Sequence, residues 1–221
     1  MLARDLVSDV IPSLKTSDTA QTALNWMEIF RVSHLPIVNN FDYLGLISDG
    51  DIFDLNQPDE PIGNHALSLK HIFVRESTHL FEVISIFGKH RLTLIPVLDD
   101  SEHYKGVISY NDILSSVAGL STFEQPGGII VLNMVDRDYS ASNIAQIIES
   151  NDAKILAMYI SSKPDSVGIQ VTIKVNVSDL TSIIRTFERY SYDIKTWISD
   201  NDKLDMFYAD RYDLLMKYIN M

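Results

Sequence analysis

A duplicated loop constrains this chain more than any other feature. Gly45-Leu46-Ile47-Ser48-Asp49-Gly50-Asp51-Ile52 recurs 61 residues later as Gly106-Val107-Ile108-Ser109-Tyr110-Asn111-Asp112-Ile113. Upstream, Leu35-Pro36-Ile37-Val38 recurs 60 residues on as Ile95-Pro96-Val97-Leu98, and the extra residue falls in the polar turn between the two motifs. Further upstream, Ala20, Ala23, Leu24 and Met27 keep the i, i+3, i+4, i+7 spacing of one helix face, and Leu80, Val83, Ile84 and Phe87 repeat it. A repeat of this length is one supersecondary unit, which needs a neighbour to bury its apolar face. Each copy predicts a helix, a short apolar strand with an internal proline, a polar turn, a second strand and a second helix. Cap candidates at 16–19 and 76–78 precede the first helices. Apolar stretches at 10–14 and 71–74 lead into the copies, and Pro58 and Pro61 mark the loop between them.

The Gly-h-h-Ser-x-x-Asp unit, h being apolar, carries the chemistry. On its simplest reading Ser48 caps a helix and Asp51 reaches back to the cap's own N–H. Ser109 and Asp112 repeat the arrangement. Two copies, each at the same distance beyond a proline-bearing strand, ask for more than capping. A serine hydroxyl and a helix start suit a phosphate. A carboxylate one turn further can accept two ribose hydroxyls.

The second half changes character. Residues 124–128, Glu-Gln-Pro-Gly-Gly, read as a linker. Beyond them lie a strand at 129–135, a helical face of Ile144, Ile147 and Ile148, and a strand at 153–160. A turn at 163–166 follows, then a strand with Ile169, Val171, Ile173, Val175 and Val177 on one face. A helical face of Leu180, Ile183, Ile184 and Phe187 precedes a last strand at 192–198. The order βαββαβ predicts a ferredoxin-like sandwich. Trp26, Trp197 and the Ile and Phe stripes read as core. A terminal helix at 209–221 would align Tyr212, Leu215, Tyr218 and Ile219.

Composition narrows the function classes. There are 30 acidic against 18 basic residues, a net charge of −12, with both halves acidic, so nucleic acid and anionic membranes are poor partners. No cysteine is present, which excludes disulfides, thiolate metal sites and a cysteine nucleophile. The six histidines, 34, 65, 71, 79, 90 and 103, show no metal-ligand spacing, and neither a nucleophile elbow nor a Walker loop occurs. The expectation is a non-enzymatic protein without catalytic or metal residues. The chain shows no leader or membrane-spanning pattern, and the expected location is the cytoplasm.

The first 120 or so residues resemble a tandem pair of CBS domains, a Bateman module. The resemblance implies an α/β (α+β) chain: CBS repeats at 1–60 and 61–123 related by a pseudo-twofold axis, then a βαββαβ domain at 127–200 and a tail at 201–221. It also implies adenosyl ligands (AMP, ADP, ATP or S-adenosylmethionine) in two clefts. Ser48 and Ser109 would meet phosphate, and Asp51 and Asp112 ribose. His34, and Thr93 and Leu94 in the other copy, stand where phosphates are often faced; His90 and Arg91 lie earlier.

The βαββαβ unit looks like an ACT domain, whose first strand ends in Asp-Arg-Pro-Gly or similar. Here 136–140 reads Asp-Arg-Asp-Tyr-Ser, so the glycine that lets an amino acid approach is missing. A dimerising or partner-binding role is expected over amino acid sensing. The combination resembles bacterial acetoin-utilisation regulatory proteins and implies a homodimer acting on an unknown target protein. The alternatives are a structural dimer with empty clefts and an amino acid sensor.

Overall fold

The computed structural model describes residues 1–55, 58–65, 69–162 and 168–199. The chain divides into two compact units, Met1–Ala118 and Gly119–Met221. Both mix helices with sheets. No helix among the described residues is long and apolar enough to cross a membrane.

In the first unit, each repeat builds a helix, two strands and a second helix, and the second repeat adds a short leading strand. The first has α1 (Ala20–Phe30), β1 (His34–Asn39), β2 (Asp42–Ser48) and α2 (Asp49–Leu55). The second has β3 (Val74–Arg75), α3 (Leu80–His90), β4 (Leu94–Leu98), β5 (Tyr104–Ser109) and α4 (Tyr110–Ala118). Thr19 caps α1, its side chain accepting from the Thr22 N–H. The cap of α3 is His79, which accepts from Phe81; it lies just beyond the expected stretch, and the Thr78 hydroxyl instead accepts from Arg75. Both helices end on an arginine in the left-handed conformation, Arg31 and Arg91.

The strands pair as antiparallel hairpins, β1 with β2 and β4 with β5, each carrying a register shift at the same place. Leu14 adds a parallel bridge beside Ile37, as β3 does beside β4. The far edges are exchanged. Ser8, ahead of the first repeat, pairs with Val107 of β5 in the second. Lys70, ahead of the second repeat, pairs with Leu46 of β2 in the first. The motif glycines make room for these crossings. Both have positive φ, 149° at Gly45 and 143° at Gly106. A Cβ on Gly45 would lie 2.7 Å from the Leu69 Cβ, and one on Gly106 2.6 Å from the Ser8 carbonyl oxygen. One buried cluster joins both repeats through Leu35, Ile37, Ile47, Leu94, Ile95 and Ile108. Burying each such side chain contributes about 1.5–3 kcal/mol.

The second unit opens with α5 (Ser121–Glu124). It continues through β6 (Ile129–Val135), α6 (Ala141–Glu149), β7 (Ile155–Ser162), β8 (Gly168–Val175), α7 (Thr181–Arg189) and β9 (Asp193–Ile198). The sheet order is β7-β8-β6-β9, antiparallel throughout, the arrangement of a ferredoxin-like sandwich. Ile130, Leu132, Val171 and Ile173 meet Ile144, Ile148, Ile183 and Phe187 in its core. The glycines of the 124–128 stretch are packed rather than loose. Gly128 exchanges backbone hydrogen bonds with Val175 and Val177, and a Cβ on it would strike Leu180.

Trp197 departs from its core reading. It sits on the edge strand β9 and remains 50% exposed, because no further strand covers that side among the described residues. Several Phe residues are also exposed, Phe53 and Phe81 among them, while Trp26 packs against the first core. The turn expected at 163–166 and the helix expected at 209–221 lie outside the described residues.

Candidate functional site

The two loops singled out by the repeat adopt one geometry. Ser48 closes β2, and its backbone N–H donates to Asp51 Oδ2 at 2.8 Å. The Ser48 hydroxyl donates to the same oxygen at 2.6 Å and accepts the Asp51 N–H at 3.2 Å. Ser109 and Asp112 reproduce all three contacts at the same distances. The reciprocal cap read from the sequence is therefore built in each repeat. The two bonds that reach each carboxylate both engage Oδ2, which leaves Oδ1 to accept from a hydroxyl-bearing ligand. Ser48, Asp51 and Asp112 are half-buried, and Ser109 is buried.

His34 joins the first of these loops. It begins β1 directly opposite Ser48 in the hairpin register. Its Nδ1 lies 3.1 Å from the Thr93 hydroxyl, which also accepts the Ser33 N–H at 3.0 Å. Thr93 is thus engaged across the repeat boundary. Leu94, opposite Ser109, is wholly buried in the core and is not available to a ligand. The residues before β1 and β4 also anchor the second helices. The Asp49 N–H donates to the Ser33 carbonyl, and the Tyr110 N–H donates to that of Thr93.

Electrostatics tie His34 to its surroundings. Burial holds its imidazole below the ordinary value of 6.5, and Lys70 acts in the same direction. Asp49 and Asp51 pull the other way. The structure therefore gathers Ser48, Asp51 and His34, and adds Lys70, which sequence reasoning did not select. Only non-local pairing brings Lys70 to β2; the signal for it was the glycine at position 45, which called for a chain passing overhead.

Two clefts border these features or lie apart from them. One of about 400 Å³ opens between α1 and α2, lined by Leu24, Met27, Arg31, Ser33, Asp49 and Phe53. A larger one, about 1340 Å³, belongs to the second unit and touches none of the predicted site residues. Asn133, Asp138, Asn143, Gln146, Gln170 and Arg189 are among its walls.

Comparison with known sequences decides the first unit. The CBS domain profile matches residues 3–57 and again 67–119. The N-terminal unit is a tandem pair of CBS domains. CBS pairs are regulatory modules. The inosine-5′-monophosphate dehydrogenase of Methanocaldococcus jannaschii is 27% identical over 110 residues, 49% of this chain and 22% of that protein. The homoserine O-acetyltransferase of Methanocorpusculum labreanum is 26% identical over 110 residues, 49% of this chain and 23% of that one. The chain thus spans less than a quarter of the length of these relatives.

Among solved structures, a CBS domain pair/ACT domain protein from Thermotoga maritima is 24% identical, with a TM-score of 0.47. That match covers 53% of this chain and 96% of that one. A CBS domain pair in complex with 5′-methylthioadenosine and S-adenosyl-L-methionine is also 24% identical, with a TM-score of 0.43. It covers 54% of this chain and 97% of that one.

Proposed function

We propose that this chain is a cytoplasmic regulatory protein whose CBS pair senses an adenosyl ligand (AMP, ADP, ATP or S-adenosylmethionine) and passes the signal on through a homo-oligomer to a target protein. The observation that carries the reading is the twice-built Ser–Asp unit. In each repeat a hydroxyl and a half-buried carboxylate are held together by three hydrogen bonds, and one carboxylate oxygen has capacity to spare. Ser48, with His34 opposite it, would meet phosphate in the first repeat, and Ser109 in the second; Asp51 and Asp112 would accept from ribose hydroxyls. A ligand shifts the arrangement of the repeats only by its differential affinity for the two states.

The second unit we read as an ACT-like dimerising domain. Its edge strands keep apolar side chains exposed, Tyr159 and Ile160 on β7 and Trp197 and Ile198 on β9, which suits pairing with another copy. Tyr139 stands where the ACT glycine would admit an amino acid, and Asp138, in place of the proline, disfavours a ligand carboxylate.

A thermal-shift titration tests the sensor reading. At a hundredfold excess over Kd, a ligand that binds only the folded state stabilises it by about 2.7 kcal/mol. At least one of the four ligands should therefore raise the melting temperature of the wild-type protein by several degrees. The Asp51→Ala, Asp112→Ala double variant should not respond. No shift with any of the four rejects the reading in favour of a structural dimer.

A further inference from the structure

The duplicated loops are alike, but the residues flanking them are not. In the first repeat β2 runs between His34, opposite Ser48, and Lys70, bridged to Leu46 two residues before it. The Leu46 N–H donates to the Lys70 carbonyl at 3.0 Å. In the second repeat the corresponding places are held by Leu94, opposite Ser109, and Ser8, bridged to Val107. The sheet therefore does not require a cation or an imidazole at either place, since the second copy forms the same pairings without them. Arg31 and Arg91 occupy equivalent helix ends and do not distinguish the copies.

We propose that Lys70, carried beside the Ser48–Asp51 loop by the strand exchange, is a ligand-binding residue there and, with His34, makes that loop prefer a phosphorylated adenosyl ligand over the unphosphorylated nucleoside. This deepens the sensor reading and rests on it. The geometry gives each group a part. The main chain at 70 is fixed against β2, with Gly45 leaving space for Leu69 to cross. Lys70 lies within Coulombic reach of the imidazole, as its effect on His34 shows. Nδ1 of His34 is occupied by Thr93, which leaves Nε2 as the ring nitrogen to meet a ligand oxygen. An ammonium supplies three donors and a permanent charge, both matched to a phosphate and neither needed by a ribose or a base. Asp49 and Asp51 face the same histidine, so without Lys70 the surroundings of Ser48 would be acidic and would repel a phosphate.

The test is isothermal titration of the full chain with 5′-AMP and, separately, adenosine. In Lys70→Gln the Kd for AMP should rise about tenfold, and its salt dependence should weaken. Adenosine affinity in the same variant should stay within about twofold of wild type, which also serves as the control for folding. Lys70→Arg should retain AMP affinity. If AMP and adenosine weaken together in Lys70→Gln, or if AMP affinity is unchanged, the assignment of Lys70 is overturned while the sensor reading stands. If neither ligand binds the wild-type protein, this assignment is overturned, and the sensor reading falls with it only when ADP, ATP and S-adenosylmethionine also fail to bind.

Discussion

Replacing Gly106 with alanine should do more damage than its small size suggests. Gly106 has a φ of 143°, a region that side-chain-bearing residues rarely adopt, which alone costs at least about 1 kcal/mol. The new Cβ would lie 2.6 Å from the Ser8 carbonyl oxygen and 2.9 Å from Val7 Cγ2. Since the nearer obstacle is backbone, the exchanged strand has to move. That movement breaks a reciprocal pair of hydrogen bonds, Ser8 N–H to the Val107 carbonyl at 2.8 Å and Val107 N–H to the Ser8 carbonyl at 3.0 Å. Each contributes about 1 kcal/mol. The total is about 3 kcal/mol, a fall of roughly ten degrees in the melting midpoint of the first unit.

Gly88 supplies the control. It lies inside α3, and a methyl group added there would meet nothing within 4 Å, so Gly88→Ala should stabilise by about 0.5–1 kcal/mol. Differential scanning calorimetry of the two variants reads the opposite signs, and amide hydrogen exchange at Ser8 reports whether the crossing strand has moved. Gly106→Ala matching Gly88→Ala in stability, with Ser8 still protected, would refute the argument that the glycine exists to admit the strand.

Two further outcomes follow from the site. Because burial holds His34 below 6.5, the folded chain favours the neutral imidazole. Stability from this group is complete above pH 6.5 and is lost as the pH falls from there through the lowered folded value. Urea denaturation at pH 7.5 and 5 should show a larger loss for wild type than for His34→Gln, and equal losses would contradict the burial argument. Ser109→Ala removes the acceptor for the Asp112 N–H and the donor to its carboxylate, so the ligand-free protein should lose about 1 kcal/mol. Chemical denaturation measures this, and an unchanged midpoint would show that the cap carries no stability.

Much of the architecture could be read from local pattern. The helix faces at Ala20–Met27 and Leu80–Phe87, the latter without Ile84, which stays exposed, the proline-bearing strands and the βαββαβ order all rest on periodicities of 3.6 or 2, which a short window of sequence contains. The Ser–Asp caps were legible for the same reason, since their partners lie three residues apart. The exchange of Ser8 and Lys70 was not, because those residues pair across some 100 and 24 positions of chain respectively, on the order of distances where no periodicity speaks. Lys70 was missed with it. The helix start at Leu80 held a similar lesson: Ser77 and Thr78 are better cap types than His79, yet the Thr78 hydroxyl is drawn to Arg75 by the short strand β3. Trp197 looked like core by composition, and only the strand order reveals that β9 is an edge.

Because each half of the N-terminal unit completes the other's sheet, neither is a self-sufficient inheritance. A chain cut between the copies would leave the Leu46 N–H of β2 and the Val107 N–H and carbonyl of β5 without their partners, ready to recruit the missing ribbon from a second molecule. Shuffling during evolution would have to move the doublet as a single parcel, and any attempt to engineer a one-copy version should begin by supplying the lost border.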